Sequence, residues 1–439
     1  MVRLSIRMAA MSVATLLIFV AFSFHSSHAQ TPAGGIVALT GARVIDGTGR
    51  APLEQAAIII ANGRISAVGT GAAVKIPAGA TRVDMSGKTI MPGIINAHGH
   101  LSFDKSNRPS RDKLTEQLRV YADYGVTTAV ILGTEPDDLQ DAVKLRGEQE
   151  HATLDRARVY VAGPSLRKLK TAEEARTSVD RYADAKVDLI KMHILGVPDD
   201  TPPAVYKALI DEAHKRGLRV AAHLFYLKDA HGLLDAGVDV IAHSVRDQDV
   251  DAALIADIKK RNVGYIPTLT RDLAIFVYES TPPFFKDPFF LRRVDFYGKQ
   301  MAQLNDPAQQ QKIQNNPEAQ SIKKALEQGS RNLKTLSDAG VTIGLGTDSG
   351  INLGQWQGYF EHVEMEMMVK AGLTPMQALV AATSGAARVW KLEQLGAIQP
   401  GKQADLLVLN ANPLSDIRNS RQIHSVWIGG RQLAQANTN

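Results

Sequence analysis

The sequence predicts an α/β fold, a (β/α)₈ TIM barrel with a small β-sandwich domain formed from both chain ends. Three observations lead to this prediction. Short apolar runs alternate with helical stretches through the middle of the 439-residue chain. His, Lys and Asp residues recur at the C-terminal ends of those runs, where the strands of such a barrel present functional side chains. Both chain ends mix β-branched residues with Gly and Asn-Gly turns, which is typical of short strands in a meander.

The middle of the chain supplies the eight strands of the predicted barrel. The first lies directly before His98, and the others are predicted at residues 127–132, 159–163, 188–193, 219–223, 239–243, 263–268 and 342–348. Periodic stretches such as residues 203–217 lie between them and end in Gly, which suits a helix C-cap. A doubly wound open sheet is the alternative fold, but no glycine-rich phosphate loop favours it.

The pattern of the chain predicts four segments. They are a signal peptide at 1–29, a first part of the β-sandwich at 30–92, the barrel at 93–394 and a second part of the β-sandwich at 395–439. The leader combines Arg3 and Arg7 with an apolar run and a small-x-small site ending at Ala29, the pattern of an export signal. We therefore expect an exported protein of a bacterial periplasm, without stable membrane insertion after cleavage. A retained anchor is the competing interpretation.

Composition narrows the possible partners. The formal net charge is +5, and no basic run is dense enough to follow a nucleic-acid backbone. The chain contains no cysteine, which excludes a disulfide framework, a thiolate metal site and a catalytic cysteine. We expect a small-molecule substrate and no nucleic-acid partner, while a homo-oligomer is left open.

One connection is unusually long and rich in phenylalanine. Residues 278–293, YESTPPFFKDPFFLRR, lie between the predicted strands at 263–268 and 342–348. Long insertions in barrel loops are commonly functional. We expect either a lid or substrate wall, or a packing or dimer contact.

Five residues at predicted strand ends suit a metal site: His98, His100, His223, His243 and Asp348. Imidazole nitrogen and carboxylate oxygen are ligands of zinc and similar divalent ions. His98 and His100 are two residues apart, so on an extended strand they share one face. The His-x-His pair alone is a weak signal, and its weight comes from the other three residues.

Lys191 ends the predicted fourth strand, and it has two interpretations. It could close the strand with its ammonium group in solvent. Alternatively, nearby metal ions depress its pKa so that it captures carbon dioxide as a carbamate that bridges two metals. The second interpretation distinguishes a two-metal site from a one-metal site.

Several motifs together resemble the amidohydrolase superfamily, in its imidazolonepropionase-like and prolidase-like (Xaa-Pro dipeptidase) branch. They are NAHGHL, IKMH, AAHLF, VIAHSV, GLGTDSG and the closing IQPGKQADLLVLN. The similarity covers nearly all of the mature chain, in order and spacing. It implies a (β/α)₈ barrel with a β-sandwich built from both termini, as the residue pattern also predicts.

The resemblance implies a role for each site residue. His98, His100 and Asp348 would hold one divalent ion, His223 and His243 a second, and carboxylated Lys191 would bridge them, with zinc as the expected metal. A hydroxide shared by the two ions would attack the scissile carbonyl. Asp348 would be the catalytic proton acceptor and then donor. The implied reaction is hydrolysis of an amide or peptide C–N bond in an N-acyl amino acid, an Xaa-Pro-like dipeptide or a related amide.

The sequence departs from the prolidase-like pattern directly after Lys191. Those relatives continue with small residues and glycines, whereas Met192, His193 and Ile194 follow here. We expect His193 to point away from Lys191 and to have a packing or supporting role. Without a carbamate, the alternative is a mononuclear cyclic-amide hydrolase or deaminase with one metal on His98, His100, His223 and Asp348, assisted by His243.

Two further residues are weaker candidates for substrate binding. Tyr226 follows His223 and could donate to a substrate carboxylate or oxyanion, or simply pack in its loop. Arg246 follows His243 and could pair with an acidic substrate group, or form a plain surface salt bridge. A catalytically silent binding protein is disfavoured, because buried imidazoles that converge on an aspartate are costly without a partner.

Overall fold

The structure is a computed structural model that describes residues 35–151 and 153–434. The predicted signal peptide at 1–29 lies outside the described residues. Among the described helices, none combines the length and the apolar character needed to cross a bilayer.

The strands follow two separate patterns along the chain, a cluster at each end and a regular series between. They are β1 Val37–Val44, β2 Leu53–Ala61, β3 Arg64–Thr70, β4 Thr81–Asp84, β5 Thr89–Pro92, β6 Ile94–Gly99, β7 Val126–Ile131, β8 Arg158–Val161, β9 Leu189–His193, β10 Arg219–His223, β11 Val240–Ala242, β12 Gly264–Ile266, β13 Leu406–Leu409, β14 Ile423–Ile428 and β15 Arg431–Gln432.

Helices separate the strands of the middle series and fill the long insertion. They are α1 Ser110–Asp123, α2 Leu139–Gly147, α3 Ala172–Asp184, α4 Pro203–Lys215, α5 Leu227–Ala236, α6 Ala252–Arg261, α7 Leu269–Phe276, α8 Pro288–Leu291, α9 Val294–Leu304, α10 Pro307–Gln314, α11 Pro317–Asp338, α12 Tyr359–Lys370, α13 Pro375–Val380 and α14 Ala386–Trp390.

The two chain ends share one mixed sheet, in the order β15-β14-β13-β5-β1-β2-β3, with β4 paired to β1. The junction is the antiparallel pair of β5 and β13, in which Pro92 lies opposite Leu406. Leu39, Ile58 and Trp427 are buried in the apolar core of this region. The predicted union of both ends is therefore present, but the pairing gives one sheet, and the packing of two sheets as a β-sandwich is not confirmed.

Two parallel sheets form the centre of the molecule. They contain β6-β7-β8 and β9-β10-β11-β12 in sequence order. Parallel bridges from Ala162 to Leu189 and from Leu166 to Met192 join the segment that follows β8 to β9. The alternation of parallel strands with helices confirms the α/β class, and closure into a complete barrel stays a prediction.

The predicted eighth strand at 342–348 is extended but irregular. Bridges join Tyr265 to Ile343 and Gly99 to Ser349, so this segment contacts both β12 and β6. Its ladder is interrupted because Leu345 N–H donates to Ala381 of the following helix at 2.8 Å instead of to a strand.

Apolar side chains that face one another across the parallel strands fill the space between them. Ile95, Val130, Leu189 and Val240 belong to this cluster, together with Val389 of α14. The inward-facing residues below the strand ends are thus apolar, which leaves the C-terminal ends as the place where polar groups gather.

The phenylalanine-rich insertion packs against the protein itself. Phe285 and Phe290 are buried in an aromatic cluster with Tyr278, Tyr297 and Trp356. Ring centroids of Phe290 and Trp356 are 5.2 Å apart, at 74°, an edge-on arrangement that aromatic pairs favour. Of the two predicted roles, the structure supports packing.

Gly346 is required for the close approach of the eighth segment to β6. A Cβ at this position would lie 2.7 Å from His98 Cβ and 3.0 Å from His98 N, and it would also clash with Ile266. We expect Gly346→Ala to lower the free energy of unfolding by about 1–3 kcal/mol, measured by urea denaturation. Gly147→Ala is the control, because a Cβ there meets no atom within 4 Å; equal stability of the two variants would contradict this account.

Candidate functional site

The C-terminal ends of the strands bring the six predicted residues to one side of the molecule. β6 carries His98 and leads to His100, β9 carries Lys191, β10 ends at His223, and His243 follows β11 directly. The eighth segment contributes Asp348. Five of the six are buried, and His223 is half-buried.

His98, His100 and Asp348 form the tightest group. Both Nε2 atoms, of His98 and of His100, lie 2.9 Å from the same oxygen, Asp348 Oδ1. One ligand atom from each residue fits within a 4.8 Å span, and this is the sole such His/Asp/Glu group among the described residues.

The other two predicted histidines, His243 and His223, lie next to this group. The ring centroid of His98 lies 4.7 Å from that of His243, and the rings of His243 and His223 lie 4.3 Å apart in an edge-on arrangement. The structure therefore brings together all four predicted histidines and Asp348.

Hydrogen bonds fix which imidazole nitrogen faces the site. His100 Nδ1 lies 3.2 Å from the carbonyl of Gly133, which can only accept, so Nδ1 carries the hydrogen and a neutral His100 presents a lone pair at Nε2. Nε2 and the carboxylate oxygen of Asp348 then face each other as two acceptors. A shared cation satisfies this arrangement, so the donor set fits a metal ion.

The same reasoning applies to His243. Its Nδ1 lies 2.6 Å from Thr268 Oγ1, and that hydroxyl donates to the carbonyl of Pro267 at 2.8 Å. Thr268 must therefore accept from His243 Nδ1–H, which leaves Nε2 of a neutral imidazole free as a ligand.

Three residues of the site region hold a backbone conformation that side chains disfavour. The φ angles are +77° at His243, +51° at Thr268 and +59° at Asp348. Such strain is concentrated at functional sites, where the surrounding structure over-determines the backbone.

Burial controls the protonation states of the site. Desolvation, reinforced by the charge of Lys191, lowers the pKa of His98 to about 3. Burial also holds the pKa values of His223 and His243 well below the usual value for histidine. Burial acts to raise the pKa of Asp348, but the neighbouring imidazoles outweigh it and hold that pKa well below its usual range. Neutral imidazoles beside an ionised carboxylate are the forms that bind metal.

Lys191 is buried among these groups without a neutralising contact. Its Nζ has no hydrogen-bond partner among the described residues, and the side chain is 2% exposed. Burial lowers its pKa to about 7 although Asp348 opposes the shift. This burial rules out the first interpretation of Lys191, in which its ammonium group lies in solvent.

The expected orientation of His193, away from Lys191, is wrong. Side chains two residues apart on a strand share a face. His193 therefore lies on the same side of β9 as Lys191, two residues closer to the C-terminal end of the strand. It pairs in register with His223, and the two rings stack with centroids 4.7 Å apart. His193 therefore belongs to the site region.

The two weaker candidates have different surroundings. Tyr226 packs close to Gly196, where a Cβ would lie 2.5 Å from its ring, and it precedes α5. Arg246 has a side chain only 1% exposed, and it donates to the carbonyls of Leu224 and Ser244. It is thus not the plain surface salt bridge considered from the sequence, and its burial gives no support to substrate contact.

Sequence reasoning missed two buried carboxylates that support the site from α12. Glu361 Oε1 accepts from Thr347 Oγ1 at 2.9 Å and from Ser349 Oγ at 2.8 Å, on either side of Asp348. Glu364 accepts from the backbone N–H groups of Leu269 and Thr270. A signal was present, because Glu361 and Glu364 are three residues apart on one helix and alternate there with apolar residues.

Comparison with known proteins agrees with this geometry. An uncharacterized protein of Mycobacterium tuberculosis is 30% identical over 204 residues, 44% of this chain and 53% of that protein, so the chain spans about half the length of that relative. An imidazolonepropionase of Streptomyces coelicolor is 24% identical over 366 residues, 82% of this chain and 86% of the enzyme.

A solved structure of a Bifidobacterium longum protein, described as a candidate prolidase, is 28% identical. It superposes with a TM-score of 0.75, covering 93% of this chain and 97% of that one. Residues 89–433 match the amidohydrolase family, a range that includes all six residues of the site. The chain therefore belongs to the amidohydrolase family.

Proposed function

We propose that this protein is an exported, metal-dependent hydrolase that cleaves an amide or peptide C–N bond in an N-acyl amino acid, an Xaa-Pro-like dipeptide or a related amide. The proposal rests on one observation, the convergence of six side chains at the strand ends. They are His98, His100, Asp348, His243, His223 and Lys191. The predicted leader at 1–29 is the basis for export.

In this proposal the site binds two divalent ions, with zinc as the expected metal. His98, His100 and Asp348 would hold the first ion, and His223 and His243 the second. Such ions lower the pKa of water and polarise carbonyl groups when bound. The residues fit because burial keeps His98, His223 and His243 neutral while Asp348 is ionised.

Lys191 would bridge the two ions as a carbamate. Its depressed pKa supplies the neutral amine near pH 7, and that amine can form an N–C bond to carbon dioxide with loss of one proton. The product carries a negative charge in place of a buried ammonium, which removes the cost of an unpaired Nζ.

Asp348 would transfer the proton during hydrolysis. Its low pKa keeps it ionised, so that it can accept a proton from the attacking water and then give it to the departing amine. Glu361 positions Asp348 through Thr347 and Ser349, and Thr268 orients the ring of His243. These contacts hold the reacting groups in place before substrate arrives.

A mononuclear enzyme is the second candidate. His98, His100 and Asp348 alone satisfy the 4.8 Å span among the described residues, and the Streptomyces coelicolor relative is an imidazolonepropionase. In that case the substrate would be a cyclic amide or a compound that is deaminated, His223 would complete the metal site, and His243 would act as an acid or base.

Metal content distinguishes the two candidates. Protein produced with zinc and bicarbonate is expected to contain about two equivalents of metal per chain by elemental analysis. Lys191→Ala should reduce this to one or fewer, because the bridging group is lost.

Lys215→Ala is the matched control, since that lysine is 67% exposed on α4 and its removal should leave the metal content unchanged. One equivalent in the wild type that does not depend on Lys191 would favour the mononuclear enzyme instead.

Replacement of Asp348 tests its proton-transfer role. Asp348→Asn keeps the shape of the side chain and removes its basicity, so turnover of an amide substrate at saturating metal should fall roughly 10²–10⁴-fold. Asp235→Asn changes a carboxylate that is 78% exposed and should retain full activity. Wild-type turnover in Asp348→Asn would rule out the assigned role, and metal analysis of both variants separates lost proton transfer from lost metal.

A further inference from the structure

An arginine that the sequence did not single out lies at the edge of the site. Arg271 is in the first turn of α7, which directly follows the strand β12. Its Nε is 4.0 Å from Asp348 Oδ2, and its side chain is 23% exposed. Arg271 therefore lies between the buried metal ligands and solvent.

Arg271 is the outer member of a chain of three charged groups. Its Nη1 lies 2.6 Å from Asp272 Oδ1, and Arg246 Nε lies 3.3 Å from Asp272 Oδ2. Asp272 is thus shared between two guanidinium groups. The side chains of Arg246 and Asp272 are 1% and 3% exposed, so solvent can reach only Arg271.

The three groups together carry one net positive charge, and Asp348 lies 4.0 Å from Arg271 Nε without a hydrogen bond to it. Two arginines and one carboxylate leave a net charge of +1, and Asp348 is beyond hydrogen-bond distance from Arg271 and faces the two imidazoles. Nη2 of Arg271 makes no hydrogen bond to any residue that the structure describes. A guanidinium with a free edge is suited to bind a planar carboxylate.

The charge of Arg271 acts on the site. It contributes to the lowered pKa values of Lys191 on β9 and of His223 on β10. This agrees with its position at the edge of the site, where its Nε lies 4.0 Å from Asp348 Oδ2. A substrate group bound by Arg271 would therefore lie beside the reacting groups.

We propose that Arg271 binds a carboxylate of the substrate and so selects amides that carry a free acid group, such as N-acyl amino acids and dipeptides, over neutral amides. This inference rests on the proposed hydrolytic function and narrows its substrate class. Arg246 serves the same interaction indirectly, because it holds Asp272, which in turn orients Arg271.

The first test compares two substrates that differ only in the acid group, N-acetyl-L-phenylalanine and N-acetyl-L-phenylalaninamide, by release of acetate. For the acid, Arg271→Gln should raise KM roughly 10- to 100-fold with kcat changed much less. For the neutral amide, KM should not change. Arg271→Lys should recover part of the loss, because it restores the charge without the planar guanidinium group.

Arg167→Gln is the matched control, because it removes a positive charge near the site without removing the proposed carboxylate-binding group. Arg167 is exposed and its charge also reaches the site, where it contributes to the lowered pKa of His193, but within the described residues it forms no hydrogen bond or ion pair with a predicted metal ligand. This variant should leave KM for the acid within about twofold of the wild type. Metal content and urea denaturation of each variant check that the site and fold are intact.

A second measurement does not depend on turnover. Isothermal titration of the metal-loaded protein with L-phenylalanine should give binding that Arg271→Gln weakens, while L-phenylalaninamide should bind wild type and variant equally. Equal losses for acid and amide in either experiment would show a purely structural role and overturn the inference, as would failure of L-phenylalanine to bind the wild type. Arg271-dependent binding without hydrolysis of either substrate would instead leave the inference standing and contradict the proposed function.

Discussion

The shared contact of His98 and His100 with one oxygen of Asp348 is the constraint on which the site depends. It requires the end of β6 and the eighth segment to approach closely, and Gly346 permits that approach. It also places an ionised carboxylate between two imidazoles away from water, where a charge without a partner is expensive. The geometry is therefore favourable chiefly as a cation site, and the neighbouring residues can be understood as its support.

Polar side chains from a helix and from loops provide that support. Glu361 and Glu364 extend from one helix to the loops on both sides of the site, and Thr268 fixes the tautomer of His243. Burial raises the pKa of Glu361 to about 7, although the hydroxyls of Ser349 and Thr347 oppose the shift. A carboxyl group that accepts from several donors can thus act as a fixed anchor, because these hydroxyls belong to the residues on either side of Asp348.

Sequence periodicity predicted the order of the elements and placed all six candidate site residues at strand ends, and the positions of the middle strands agree within a few residues. It failed where the outcome depends on tertiary contact. The eighth strand is irregular because Leu345 bonds to a helix, and Arg271 stands out only after Asp272 is seen between two arginines. The error at His193 was different in kind, since the period of two along a strand was enough to place it beside Lys191.

The antiparallel pair of β5 and β13 has a consequence for how the protein is made. Its partners are separated by about three hundred residues along the chain, so the terminal sheet remains incomplete on the ribosome until nearly the whole polypeptide has been synthesised. β5 leads directly into β6, which carries the first two histidines. The sheet beside the site can therefore be completed only after the last strands have been synthesised. Contacts between residues so far apart in sequence also form slowly.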